Sequence, residues 1–159
     1  MTPMLEEWLI DGYNLIHDAI PQSGPLQISR EVFFGQLAGF ASSAERKVLV
    51  VLDGTGTDDE FEVYRTKSFN IIYSQSVTAD SVIEKILFEQ KGLITFTVVT
   101  KDGALARMAR GSGSRVISPA DFMKLLKDSQ NENSQHLFQE KVRSHGFNRP
   151  FENIKFPTG

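Results

Sequence analysis

An α/β domain, with a mainly parallel sheet between flanking helices in three layers, follows from three observations on this 159-residue sequence. Short runs rich in Val, Ile and Phe alternate with segments of helical period, as strands joined by crossover helices require. Aspartates recur where those runs end, and this is where open parallel sheets carry their sites. The chain is 40% hydrophobic and 23% charged, enough to bury one sizeable core and too short for two.

The strands are expected at Trp8 to Ile10, Lys47 to Leu52, Phe69 to Tyr73, Ile94 to Thr100 and Arg115 to Ile117. A loop holding Pro21, Gly24 and Pro25 follows the first strand, then a helix from about Ser29 to Ala44 with Val32, Phe33, Leu37 and Phe40 inward. A second helix runs from about Ala79 to Gln90 on the stripe Val82, Ile83, Ile86 and Leu87, and Gly92 suits the position just past its end. Gly103 to Arg110 reads as a short helix closed by Gly111 and Gly113. Ser118, Pro119 and Asp121 read as a capped helix start leading into Phe122, Leu125 and Leu126. Residues 1–127 thus form the domain, and 128–159 read as a polar linker followed by a C-terminal helix or tail bearing Phe147, Phe151 and Phe156.

With no cysteine, disulfides, thiolate metal sites and cysteine nucleophiles are excluded. No run approaches the roughly 20 apolar residues of a membrane span, so a soluble, cytoplasmic protein without membrane contact is expected. The net charge of −3 hides an asymmetry: residues 1–100 carry 7 basic and 14 acidic side chains, residues 101–159 carry 10 and 6. An acidic site beside a basic surface suits a metal-dependent enzyme acting on a polyanion. The sequence lacks G-x-G-x-x-G, P-loop, H-E-x-x-H and G-x-S-x-G motifs, so the common dinucleotide, NTPase, zincin and hydrolase readings lose their main support.

Asp11 leaves the first strand in WLIDGYN, Asp53 the second in VLVVLDG, and Asp102 the fourth in VVTKDG. Asp80 lies in the first turn of the second helix in TADSVIE, its side chain aimed back toward the helix start, with Glu84 one turn further on. Neighbouring strands lie about 4.8 Å apart, so these acids crowd one another. Protonation or a hard cation must offset that crowding, and an all-oxygen set favours Mg²⁺ or Mn²⁺ over Zn²⁺. Each residue also has a structural reading: Asp-Gly forms turns, Asp80 complements a helix dipole, and Glu84 is an ordinary surface charge. Asp58, Asp59 and Glu60 read as a solvated run.

LIDGYN at 9–14, LDG at 52–54, TADSVIE at 78–84 and VVTKD at 98–102 together resemble the NYN domain, specifically its bacterial YacP-like branch within the PIN-like nuclease group. The resemblance runs in order over about residues 8–127. It implies a Rossmann-like sheet and a metal-dependent endoribonuclease holding one or two divalent ions. Carried over by motif, Asp11, Asp80 and Asp102 match the metal-binding acids and Asn14 the motif asparagine; Asp53 matches an active-site Asp of related flap-type nucleases. Asp53, Glu84 and Asn14 would then position the ligands or a water. Ser81 departs from a second consecutive Asp, and Lys101 from a small polar residue.

RNA would be held by Arg30, Arg65, Lys67, Lys101 and Arg107, with Arg65 and Lys67 facing one side of an extended segment. Tyr13 could stack a base and His17 touch a base or phosphate, though both have ordinary structural roles. A homo-oligomer or a larger RNA assembly remains open as partner. Among rivals, a phosphoacceptor domain lacks its second acid at Gly12 and carries Lys101 one strand early, and a dehalogenase-like phosphatase needs an Asp where Val51 stands. A catalytically idle RNA- or protein-binding module would keep the fold and use the acids for nothing.

Overall fold

The computed structural model describes residues 6–19 and 26–130, without the side chains of residues 14, 18, 19, 26–29 and 58. Five strands, β1 (Glu6–Asp11), β2 (Arg46–Leu52), β3 (Phe69–Tyr73), β4 (Phe96–Val99) and β5 (Arg115–Ile117), form one sheet in the order β3-β2-β1-β4-β5. Every neighbouring pair is parallel. The chain winds from β1 outward to β3, then returns past β1 to β4, so a topological switch lies beside the end of β1.

Strand alternation sends side chains to two cores. Trp8, Ile10, Val48 and Val50 meet one set of helices: α1 (Gly12–Ala19) through Leu15, and α2 (Leu26–Ser42) through Phe34, Leu37 and Phe40. A terminal helix α5, residues 119–130, joins them through Phe122 and Leu126. On the other face Leu9, Val51 and Val98 meet α3 (Ala79–Glu89) and α4 (Gly103–Gly111) through Ile83, Leu87 and Leu105. Both helix layers are therefore sealed onto the sheet by apolar contact, and the three-layer α/β expectation holds.

All five expected strands are present, and β3 and β5 have the expected ends. Two expectations need correction. Residues 12–19 form α1 where a strand exit and loop were expected; eight residues with one buried anchor, Leu15, are too few to show a period. In α2 the inward stripe is Phe33, Phe34, Leu37, Phe40 and Ala41, so Val32 lies one step outside it, 58% exposed, while Phe34 is buried. The run read as solvated charge opens a 3-10 turn, η1 (Asp58–Tyr64), because Phe61 seats in the core against Phe34 at 5.5 Å. Asp59 and Glu60 on that turn are exposed, as a solvated run should be.

Ser118 caps α5 by accepting from the Asp121 N–H at 3.1 Å. The helix continues through residues 128–130, past the expected boundary at 127, and Ser129 is buried within 3.4 Å of the Ser43 hydroxyl. The expected tail with Phe147, Phe151 and Phe156, like the loop at Pro21, Gly24 and Pro25, lies outside the described residues.

Candidate active site

Asp11 ends the central strand on the α3/α4 face and is buried at 3% exposure. A buried carboxylate must be paired or hydrogen-bonded, and Thr100, itself buried just beyond β4, places its hydroxyl 3.4 Å from Asp11 Oδ2. The same Thr100 oxygen accepts the Asp102 N–H at 3.0 Å, so one side chain ties the first strand exit to the fourth. Gly12 follows Asp11 because nothing larger fits: a Cβ there would stand 2.5 Å from Leu52 Cδ2 and 2.8 Å from Val50 Cγ1. The chain can turn into α1 directly above Asp11 only with glycine at that position.

Asp80 arrives from α3, whose start is doubly fixed. Thr78 caps the helix by accepting the Ser81 N–H at 3.1 Å, and Asp53 Oδ1 accepts the Ala79 N–H at 2.7 Å. Asp53 therefore grips the residue beside Asp80 from the end of β2. Asp102 is the N-cap of α4, its Oδ1 accepting from Leu105 N–H at 2.9 Å. The positive ends of two helix dipoles thus point into one acidic place.

The Asp80 carboxyl is pushed up to about 6, first by burial, then by the charges of Asp11 and Asp102, and then by hydrogen bonds with both. Carboxyl groups hydrogen-bond to one another only if a proton is shared, so three acids from β1, α3 and α4 meet closely enough to compete for positive charge. Among the described residues no three His, Cys, Asp or Glu side chains form a ready-made metal centre. The donor chemistry nonetheless fits a hard divalent cation, being all carboxylate oxygen, partly buried and short of positive charge.

Asp11, Asp80 and Asp102 are thus brought together, with Asp53 one contact away. Glu84 is exposed one turn along α3 and takes no part in the forces acting on Asp80. Asn14 sits in the first turns of α1, but its side chain lies outside the described atoms. Thr100 escaped the sequence reading, although its place two residues before Asp102, at the end of an all-buried strand, is the signal that could have found it.

The basic residues divide. Lys101 is exposed immediately before Asp102, and the exposed Arg107 folds back along α4, its Nη1 3.4 Å from where a Gly103 Cβ would stand. Both border the acids. Arg30, on α2, lies over the Phe34 ring at 5.7 Å and hydrogen-bonds to Tyr73 at the outer end of β3. Arg65 and Lys67 precede β3, at the edge where the strands begin, and so stand at the opposite end of the sheet from the acids. Arg65 is held there by Asn70 Oδ1 at 2.8 Å and the Ile71 carbonyl at 3.0 Å, blunting the free edge of the sheet. A cavity of about 590 Å³ opens beside it, lined by Lys47, Leu49, Asn70, Ile72, Ile86 and Gln90. No carboxylates converge in that cavity, so its size does not mark the chemistry.

The family profile described as YacP-like NYN domain matches residues 8–155, nearly the whole chain. The chain belongs to the YacP-like NYN domain family. Solved structures that share the fold include two of Rae1 (YacP) from Bacillus subtilis. The W164L mutant matches with a TM-score of 0.69 at 20% identity, over 87% of this chain and 85% of that one. The crystal structure titled without a mutation matches with a TM-score of 0.68 at 22% identity, over 89% and 86%. No curated protein matches the chain. Membership makes this NYN domain one of ribonuclease type, and none of its described helices is long and apolar enough to cross a membrane.

Proposed function

We propose that this NYN domain is a divalent-metal-dependent endoribonuclease that hydrolyses RNA phosphodiester bonds at Asp11, Asp80 and Asp102. The observation that carries the reading is the convergence of three acids from β1, α3 and α4, with Asp11 and Asp102 joined through Thr100 and the Asp80 carboxyl pushed up to about 6 by burial and by the other two. Such crowding is costly for the fold and has a use where positive charge must be recruited. Mg²⁺ or Mn²⁺ bound there would polarise the scissile phosphate, make hydroxide from water and stabilise the departing 3′-oxygen.

The chain's own residues supply the rest. Asp11 and Asp102 would be the direct ligands, and Asp80 would complete the set directly or through a water. Thr100 holds the first two in register, and Asp53 fixes the helix turn that carries Asp80. Lys101 and Arg107 meet the RNA backbone beside the acids, offsetting its charge. Glu84 and Asn14 are assigned outer, orienting roles. The protein works in the cytoplasm on RNA, alone or within a larger RNA assembly.

The test is cleavage of a mixed pool of single-stranded and structured RNA with Mn²⁺, Mg²⁺ or EDTA, beside the Asp11→Asn protein. Metal-dependent cutting should fall by more than about 100-fold in the variant, beyond the loss usual for residues that only support a ligand, with the melting temperature equal or higher because a repulsive charge is gone. An Asp11→Asn protein that still cuts ends the reading. RNA binding without cutting by either protein points instead to the idle module.

A further inference from the structure

We infer that Tyr13, backed by His17, is a stacking platform that holds one unpaired RNA base next to the reacting phosphate and favours a purine there. The inference rests on the ribonuclease reading for its substrate, and on separate geometry for the platform. Tyr13 stands two residues after Asp11 and is 58% exposed. The other large aromatic side chain exposed among the described residues, Phe88, sits near the far end of α3. An apolar ring left in water beside a row of acids contributes nothing to the core, whose contact on this helix is made by Leu15, facing the opposite way.

The ring is also held in place. Gly12 is wedged against Leu52 and Val50, and Leu15 is fully buried, so the first turn of α1 cannot shift without opening the core. Helical side chains tilt toward the helix start, which here is the edge where the acids meet. The His17 ring lies one turn behind, 6.0 Å away and tilted by 35°, and limits the swing of the tyrosine. A tyrosine has only two side-chain torsions to fix on binding, so a pre-set ring stacks at small entropic cost.

Stacking needs an exposed base face, which a nucleotide inside a duplex lacks, so the platform selects an unpaired position. Every base has such a face, but stacking strength grows with ring area. Adenine and guanine should therefore be accepted alike at that one position and ahead of cytosine and uracil. Neither hydrogen-bonding edge is read.

The test is binding of the full chain, in EDTA, to labelled uridine octamers in which a single adenosine or a single abasic residue is moved position by position. One position should bind adenosine tightest. There Tyr13→Ala should weaken binding about 5- to 150-fold, the range for losing one stacked base, while Tyr13→Phe stays within about twofold. An abasic residue at that position should weaken the unaltered protein by the same factor and leave Tyr13→Ala unchanged, because the two losses remove one contact. No binding to any octamer, a folded Tyr13→Ala protein that binds like the original, or losses that simply add would each overturn the platform. Cleavage of the same octamers in Mn²⁺ keeps the two ideas apart: stacking without cutting overturns the nuclease reading alone, and cutting indifferent to Tyr13→Ala overturns the platform alone.

Discussion

The two ends of the sheet treat charge in opposite ways. Where the strands begin, two arginines are held by the chain: Arg46 lies 4.0 Å over the Phe40 ring, donates to the Phe40 carbonyl at 3.0 Å and approaches Glu6 at 3.5 Å. Arg65 is similarly occupied by Asn70, Ile71 and Glu62. Where the strands end, three acids are pushed together and two helix N-termini are aimed at them. One end sets its arginines against rings, carbonyls and opposite charges, and the other leaves like charges in contact. The difference teaches that stability is concentrated at the first end and chemistry at the second, so substitutions should separate by end.

The largest stability effect belongs to Phe40→Ala. Phe40 makes edge-to-face contacts with Trp8 at 5.3 Å and Phe122 at 5.4 Å and carries Arg46 on its face. Its truncation should cost about 3–5 kcal/mol, read by denaturant unfolding, with RNA cleavage per folded molecule unchanged. Arg65→Ala comes next. Its charged hydrogen bonds are partly screened, so the expected loss is about 1.5 kcal/mol, the low end for bonds to a charged group. Its cleavage rate and the salt dependence of its RNA affinity should match the unaltered protein. A lower salt slope in Arg65→Ala would break the division of labour between the two ends and return this residue to the RNA surface.

Much of this was legible beforehand because it depends on local signals. Parallel strands buried on both faces announce themselves as unbroken Val, Ile and Leu runs, and an Asp at the end of such a run has few places to go. Asp11, Asp80 and Asp102 could therefore be assembled on paper once β1 and β4 were neighbours. What stayed hidden depended on side-chain partners. Arg65 and Lys67 read as two basic groups on one side of an extended segment, and nothing in EVYRTKS reveals that Asn70 will fold back to take the Arg65 guanidinium. Thr100 read as strand filler because its function is the hydroxyl between Asp11 and Asp102, a contact spanning 89 residues. Gly12 read as half of a turn signal, whereas its reason is the Leu52 and Val50 side chains pressing on it from another strand. Val32 was placed inward because its apolarity carried more weight than the phase of the helix, which Phe34 sets.

The smallest effect is the most direct reading of the acidic end. Asp80 holds its proton to about pH 6, against an ordinary value of 3.8, through burial first and the charges of Asp11 and Asp102 second. A carboxyl raised in the folded state contributes stability that is complete below its unfolded value, near pH 4, and is lost as pH climbs through 6. Asp80→Asn has no proton to lose. In EDTA, the variant's melting temperature minus that of the unaltered protein should therefore rise between pH 4 and pH 7.5. Taking the difference cancels the titration of the shared groups that do not interact with Asp80. The gain should be only a few degrees, because the carboxyl is partly open to water, where solvent and salt screen its neighbours. A difference that is flat across that range would mean that the three acids do not press on one another. The contrast between the two ends of the sheet would then lose its physical basis, whatever the cleavage assays showed.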